Sequence, residues 1–196
     1  MENKLSKIIC GHLLTAKIIS NDYLEVYIYG MEILLSFLIS TTIILTIVLI
    51  SGRVLNTIIF LAIFMILRRF TGGFHADTYL ICKIFTVGTY LTVLLLSEFI
   101  QLETFFYLIL TIPGIPVVYL CSPIENPNKP LTDDEKKKHK FTSVVLYFVI
   151  MLIGICIQVI SRTLSSVICY TLTSVIALMI LSILKKGTSK NEETSC

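Results

Sequence analysis

Over residues 26–50 the chain carries one charged side chain, Glu32, and that run alone excludes most soluble folds. About 20 predominantly apolar residues cross the hydrocarbon core of a bilayer as a helix. Comparable stretches recur at 79–100, 104–124, 141–161 and 163–184. In lipid each spanning segment must satisfy its own backbone hydrogen bonds, which leaves helices and closed barrels. Continuous apolar runs of this length specify helices. With 55% hydrophobic residues, 15% charged residues and a mean hydropathy of +0.87, the 196-residue chain reads as one polytopic membrane domain.

A shorter run, 54–67, has no charge. Its length as helix is about 21 Å. Arg53 and Arg68 bracket it and can snorkel to opposite interfaces. Otherwise it tilts and thins the bilayer locally, or forms a re-entrant segment. Ahead of the spans, Leu5, Ile8, Ile9, Leu13, Ala16 and Ile19 recur at helical spacing, and Lys4, Lys7 and Lys17 fall mostly off that stripe. Residues 1–20 therefore predict an amphipathic helix in the interface plane, bounded near Asn21-Asp22. They lack the apolar core and small-residue cleavage site of a secretory signal. The expected architecture is an all-α integral membrane protein, with about six transmembrane helices preceded by that amphipathic interfacial helix. Pro113-Gly114 and Pro116 should break the fourth span. Residues 125–140 read as the one long polar loop, and 185–196 as a polar tail. The charge run at 133–140 is a solvated anchor or, alternatively, a docking strip for an acidic substrate segment.

Charge fixes the expected orientation. Of 16 lysines and arginines, six spans place all but Arg53 and Arg162 on one side. Basic residues mark the cytoplasm, so both termini and the 68–78 loop should be cytoplasmic. The basic residues sit beside apolar spans, which leaves no nucleic-acid signature. The six cysteines are scattered without a C-x-x-C pair, so a disulfide framework and a metal site are both poorly supported, and nothing points to a cofactor.

Most of the chemistry lies in one stretch. Arg68-Arg69 end an apolar run, Gly72-Gly73 permit a tight turn, His75 follows, and Cys82 comes seven residues later at the start of the next run. A thiolate is a strong nucleophile and an imidazole can take its proton near neutral pH. The functional reading makes His75 the base and Cys82 the nucleophile. The plain alternative is a solvated loop followed by a buried structural cysteine. Asp77 could orient His75 but suits a helix N-cap better. Thr78 and backbone amides near Gly73 are candidate oxyanion donors. Arg68 and Arg69 could hold substrate carboxylates or anchor the span. On a continuous helix, seven residues turn about 700° and rise about 10.5 Å, whereas proton transfer needs about 2.6–3.2 Å between heavy atoms. A dyad within one chain therefore requires the next helix to begin near Asp77 or Thr78. The alternative is a homodimer in which His75 of one chain serves Cys82 of the other.

The run Arg68-Arg69-Phe70-Thr71-Gly72-Gly73-Phe74-His75-Ala76, with Cys82 beyond it, resembles the signature of the accessory gene regulator B (AgrB) family. The later stretch from Pro123 to Leu131 is also similar to that family. The resemblance implies a membrane-embedded cysteine endopeptidase of a Gram-positive cell membrane. It would cleave the C-terminal part of a small AgrD-like pro-peptide through a thioester and promote closure of a thiolactone or lactone quorum-sensing signal. It carries the catalytic pair onto His75 and Cys82, and the motif's arginine and glycine onto Arg68 or Arg69 and Gly73. It also favours the basic loop, Lys129 included, as a substrate contact. Two other classes compete. A small peptide exporter should carry charged groups near mid-membrane, where this sequence has few. A non-catalytic scaffold would tolerate replacement of Cys82.

Overall fold

The described residues form eight helices: α1 (Glu2–Thr15), α2 (Leu24–Ser51), α3 (Val54–Thr71), α4 (Tyr79–Phe99), α5 (Thr104–Thr111), α6 (Gly114–Cys121), α7 (Asp133–Gln158) and α8 (Arg162–Glu193). This computed structural model describes all residues except 1, 17, 21–22, 73–78, 125–130 and 194–196, and within helices it leaves the side chains of 2–4, 79–80, 82–83 and 186–193 undescribed. The protein is an all-α membrane protein. Among the described residues, five stretches are long and apolar enough to cross a bilayer, namely α2, α3, α5 and α6 together, α7, and α8 as far as Lys185, and α4 adds a shorter apolar stretch, Ile84–Phe99. Among the described residues, β pairing occurs only as an isolated bridge between Gly72 and Ile124.

The chain divides into two units, Met1–Gly52 with Ala76–Val87, and Arg53–His75 with Gly88–Cys196. In the first, α1 lies on α2. Ser6 and Cys10, one turn apart, are fully buried on α1, and the Ser6 hydroxyl donates to Glu32 Oε1 at 3.4 Å. Leu5 and Ile8, from the expected apolar stripe, are about half exposed. Along α2 only Glu32, Ser36, Ser40, Ile44 and Val48 are buried, a stripe with helical i, i+4 spacing. The rest of α2 turns apolar side chains outward, as a helix solvated by lipid does. α1 is shorter than the helix expected over 1–20, since it ends at Thr15, and the expected boundary at Asn21-Asp22 lies outside the described residues.

In the second unit α8 is the hub. More than half of its spanning window is buried (56%), whereas the other spans bury 39% or less. Ser165, Ser166, Val167, Ile168 and Cys169 are consecutive and all buried, so α8 is enclosed on every side there. Small residues at these positions let neighbouring helices approach closely.

The expected break in the fourth span occurs where Pro113 and Pro116 withhold their N–H groups. The Ile115 amide bonds Ile112 O at 3.0 Å, so Thr111 O loses its usual i+4 donor, and the Tyr147 hydroxyl on α7 replaces it at 2.8 Å. A reciprocal bond runs from the Tyr107 hydroxyl on α5 to Met151 O on α7, at 3.0 Å. Each ring crosses over a glycine. A Cβ at Gly114 would strike the Tyr147 hydroxyl, and a Cβ at Gly154 the Tyr107 hydroxyl.

Three further boundaries differ from expectation. α3 does not stop at residue 67 but continues through Arg68 and Arg69 to Thr71. Its 18 residues give about 27 Å of helix, so the span needs little thinning of the bilayer. The charge run at 133–140 is not loop. It forms the first two turns of α7, opened by a capping box in which Thr132 Oγ1 accepts from the Glu135 amide and Glu135 accepts from the Thr132 amide. Asp133, Asp134 and Glu135 also suit the positive end of the helix. Finally, α8 runs on to Glu193 through the expected tail. The four described cysteines Cys10, Cys121, Cys156 and Cys169 are free thiols.

Candidate functional site

α3 ends at Gly72, whose backbone (φ 71°, ψ −171°) lies in a region that only glycine occupies readily. Space there is also closed. A Cβ at Gly72 would collide with the Ile124 carbonyl and come within 2.8 Å of the Ile124 nitrogen. The two extended segments are joined by the Ile124 amide donating to Thr71 O at 2.9 Å. One residue back, the Thr71 hydroxyl, fully buried, bonds Leu67 O and Gly72 O, both at 2.9 Å. Ser122 lies between the chains. It sits 2.8 Å from the Ser143 hydroxyl of α7 and donates to Phe70 O at 3.4 Å, just before the cis Ser122–Pro123 peptide. The Phe70 ring meets His139 edge-on at 5.4 Å, and Lys140 Nζ stands 4.5 Å from the Tyr119 ring centre. The end of α3, the exit of α6 and the start of α7 therefore meet at one node. The two sequence stretches that drew attention leave this node, at Gly73 and at residue 125.

The arginines occupy different surroundings. The Arg68 guanidinium stacks over Phe64 at 5.3 Å, and with Phe64, Gly72, Val175 and Leu178 it lines a crevice of about 10 Å³, the space of one water. Arg69 is exposed, with its guanidinium 5.9 Å from the Phe70 ring centre. Cys82 belongs to the opening turn of α4, which starts at Tyr79. The expected helix start near Asp77 or Thr78 lies outside the described residues. A helix N-terminus carries positive partial charge that stabilises an anion. Gly73, His75, Asp77, Thr78 and Lys129 lie outside the described residues, as does the geometry of any His75–Cys82 pair. Among the described residues no group of three His, Cys, Asp or Glu side chains could hold a metal.

Sequence reasoning missed the Ser122, Ile124 and Ser143 supports. Residues 123–131 stood out in the sequence, but their pairing with Gly72 is a contact between segments some 50 positions apart. It left no local signal.

The family profile described as accessory gene regulator B matches residues 3–185, nearly the whole chain. An AgrB-like protein, number 2 of Clostridium perfringens strain 13, is 27% identical over 145 residues, covering 70% of this chain and 68% of that protein. The AgrB-like protein of strain SM101 is similar to the same extent, 27% over 145 residues. AgrB-like protein 1 of strain 13 is 33% identical over 103 residues, half of this chain and 55% of that protein. No solved structure matches the chain significantly. The profile match includes the Gly72 node and the α4 opening, and the chain belongs to the accessory gene regulator B family.

Proposed function

We propose that this protein is a membrane-embedded cysteine endopeptidase that cleaves a small AgrD-like pro-peptide and promotes its cyclisation. The observation that carries this reading is family membership combined with the placing of Cys82 in the opening turn of α4, seven residues after His75. In the reaction, His75 takes the Cys82 thiol proton. The thiolate attacks a backbone carbonyl of the pro-peptide, and backbone amides near Gly73 with Thr78 stabilise the oxyanion. The carbon–nitrogen bond then breaks. The C-terminal fragment leaves as an amine carrying the proton from His75, and the N-terminal part stays as a Cys82 thioester. A thiol or hydroxyl within that peptide attacks the thioester, its proton goes to Cys82, and the ring closes. The thioester conserves acyl-transfer potential, so closure needs no ATP. Asp77 caps α4 in this arrangement. Arg68, beside Gly72, and Lys129 bind acidic groups of the substrate, and Arg69 anchors the span. The active-site loop and both termini face the cytoplasm, where a reducing environment keeps the thiol free.

Co-expression with the pro-peptide tests the reading. Cys82→Ala and His75→Ala should each abolish processing with near-normal protein levels in the membrane. Full processing by Cys82→Ala would leave a scaffold or an exporter. Co-expressing the two inactive chains separates a dyad within one chain from one across a dimer. Restored processing would assign it to the dimer.

A further inference from the structure

At the end of the second unit remote from Gly72, an open cleft of about 550 Å³ lies between the start of α5, the end of α7 and the start of α8. Its lining includes Glu103, Thr104, Phe105, Gln158, Val159 and Arg162. Its polar wall is fixed in place. Gln158 Nε2 donates to Leu102 O at 2.8 Å while its Oε1 accepts from Thr104 at 2.9 Å. The Leu102 amide donates to Ser166 at 2.9 Å, and the Tyr170 hydroxyl donates to Ile100 O at 3.0 Å. The extended backbone between α4 and α5 thus takes its hydrogen bonds from α7 and α8.

Two charges remain in this braced cleft without a partner among the described residues, the exposed Glu103 carboxylate and the half-buried Arg162 guanidinium. Glu103 does not cap α5 with its side chain. Around the mouth the surface is apolar. Phe105 is 68% exposed, Val159 91% and Ile160 84%. A ligand matched to this surface has one anionic and one cationic group for the cleft and a hydrocarbon portion for the collar.

We propose that this cleft binds the headgroup of a zwitterionic aminophospholipid, with its phosphate on Arg162, its amine on Glu103 and its acyl chains against Phe105, Val159 and Ile160. Guanidinium and phosphate form charge-assisted, bidentate hydrogen bonds. A primary amine supplies the donors that a carboxylate accepts, which a quaternary choline headgroup lacks. The apolar collar separates the lipid from a water-soluble zwitterion carrying the same charges. The cleft lies at the ends of the α5, α7 and α8 spans, where a bilayer-spanning helix meets the headgroups, and the braced wall keeps the ordering cost low.

The test is lipid retention by the full-length protein in detergent, read by native mass spectrometry. Phosphatidylethanolamine, phosphatidylglycerol and phosphatidylcholine are supplied at equal mole fraction, with glycerophosphoethanolamine as a soluble competitor. Wild type should retain phosphatidylethanolamine preferentially. Arg162→Gln should lower retention of all three by about tenfold, the scale of one charge-assisted hydrogen bond. Glu103→Gln, an isosteric exposed change, should abolish only the preference for the primary amine. Equal retention of the three lipids by wild type, or an unchanged preference in Glu103→Gln, would overturn the proposal. Displacement of the lipid by the soluble competitor at equal concentration would overturn it in favour of a soluble ligand.

Discussion

Gly72 combines a backbone that favours glycine with a blocked Cβ direction. Its φ of 71° with ψ of −171° and the Ile124 backbone beside it leave no place for a methyl group. Strain of this kind costs on the order of 1–3 kcal/mol, before any displacement of Ile124. Gly72→Ala should therefore lower thermal stability in detergent and reduce pro-peptide processing by about tenfold or more. Ile124→Ala keeps the backbone contacts and should be milder. Equal processing by Gly72→Ala and wild type would mean that the node does not position the active loop. Arg68 and Arg69 are neighbours in sequence with different surroundings. Arg68→Ala should raise the apparent KM for pro-peptide by about tenfold, the scale of a lost charge-assisted contact. Arg69→Ala should change it about twofold or less, because an exposed charge contributes little. Quantitative processing in proteoliposomes checks both, and reversal of the order would exchange their roles.

Helices α5 to α7 are held by the tyrosine pair, and its energetics can be separated by substitution. Tyr147→Phe removes the donor to Thr111 O, which the broken helix has left without its own. The cost should be about 0.6–1.5 kcal/mol, the range for hydrogen bonds in membrane and soluble proteins. Gly114→Ala places a methyl against the Tyr147 hydroxyl and ring, and also meets Ile176 at 3.0 Å. It should cost about 1–3 kcal/mol as overpacking. The double variant should be less destabilised than the sum of the two, because Phe removes the nearest obstructing atom. Additivity in a denaturation cycle would refute the contact. The α7 start makes a contrasting case. Its acidic-then-basic run resembles a loop by composition, yet a capping box and the helix dipole make it a helix.

For the whole molecule, the distribution of basic residues predicts orientation. Engineered cysteines at 53 and 162 should react with an impermeant maleimide from outside. Those at 138 and 190 should react only after permeabilisation. The Arg53–Glu98 ion pair places the start of α3 and the end of α4 at the same end of the second unit, as consecutive antiparallel spans require. The Thr57–Tyr90 hydroxyl contact at 2.8 Å lies one helical turn further in. External labelling at 138 with protection at 53 would invert the topology.

The sequence by itself determined the class of fold, because apolar run length and backbone hydrogen bonding in lipid leave few solutions. It also determined the break at Pro113-Gly114, which follows from a missing N–H, and the family, which the Arg68–Ala76 stretch with Cys82 already resembled. Boundaries were less legible wherever charge and helix coincide. Arg68 and Arg69 continue α3, and residues 133–140 open α7, because a helix end exposed to headgroups and water accepts charge freely. Only the tertiary structure decided what α8 does. Its small and hydroxylated residues look no different in composition from those of α2, yet one helix is enclosed and the other faces outward. It also decided that Ile124 restricts Gly72 and that Tyr107 and Tyr147 exchange bonds across α5 and α7. Those contacts join residues 36 to 52 positions apart. Periodicity and propensity describe a residue's own helix, and carry no record of what packs against it.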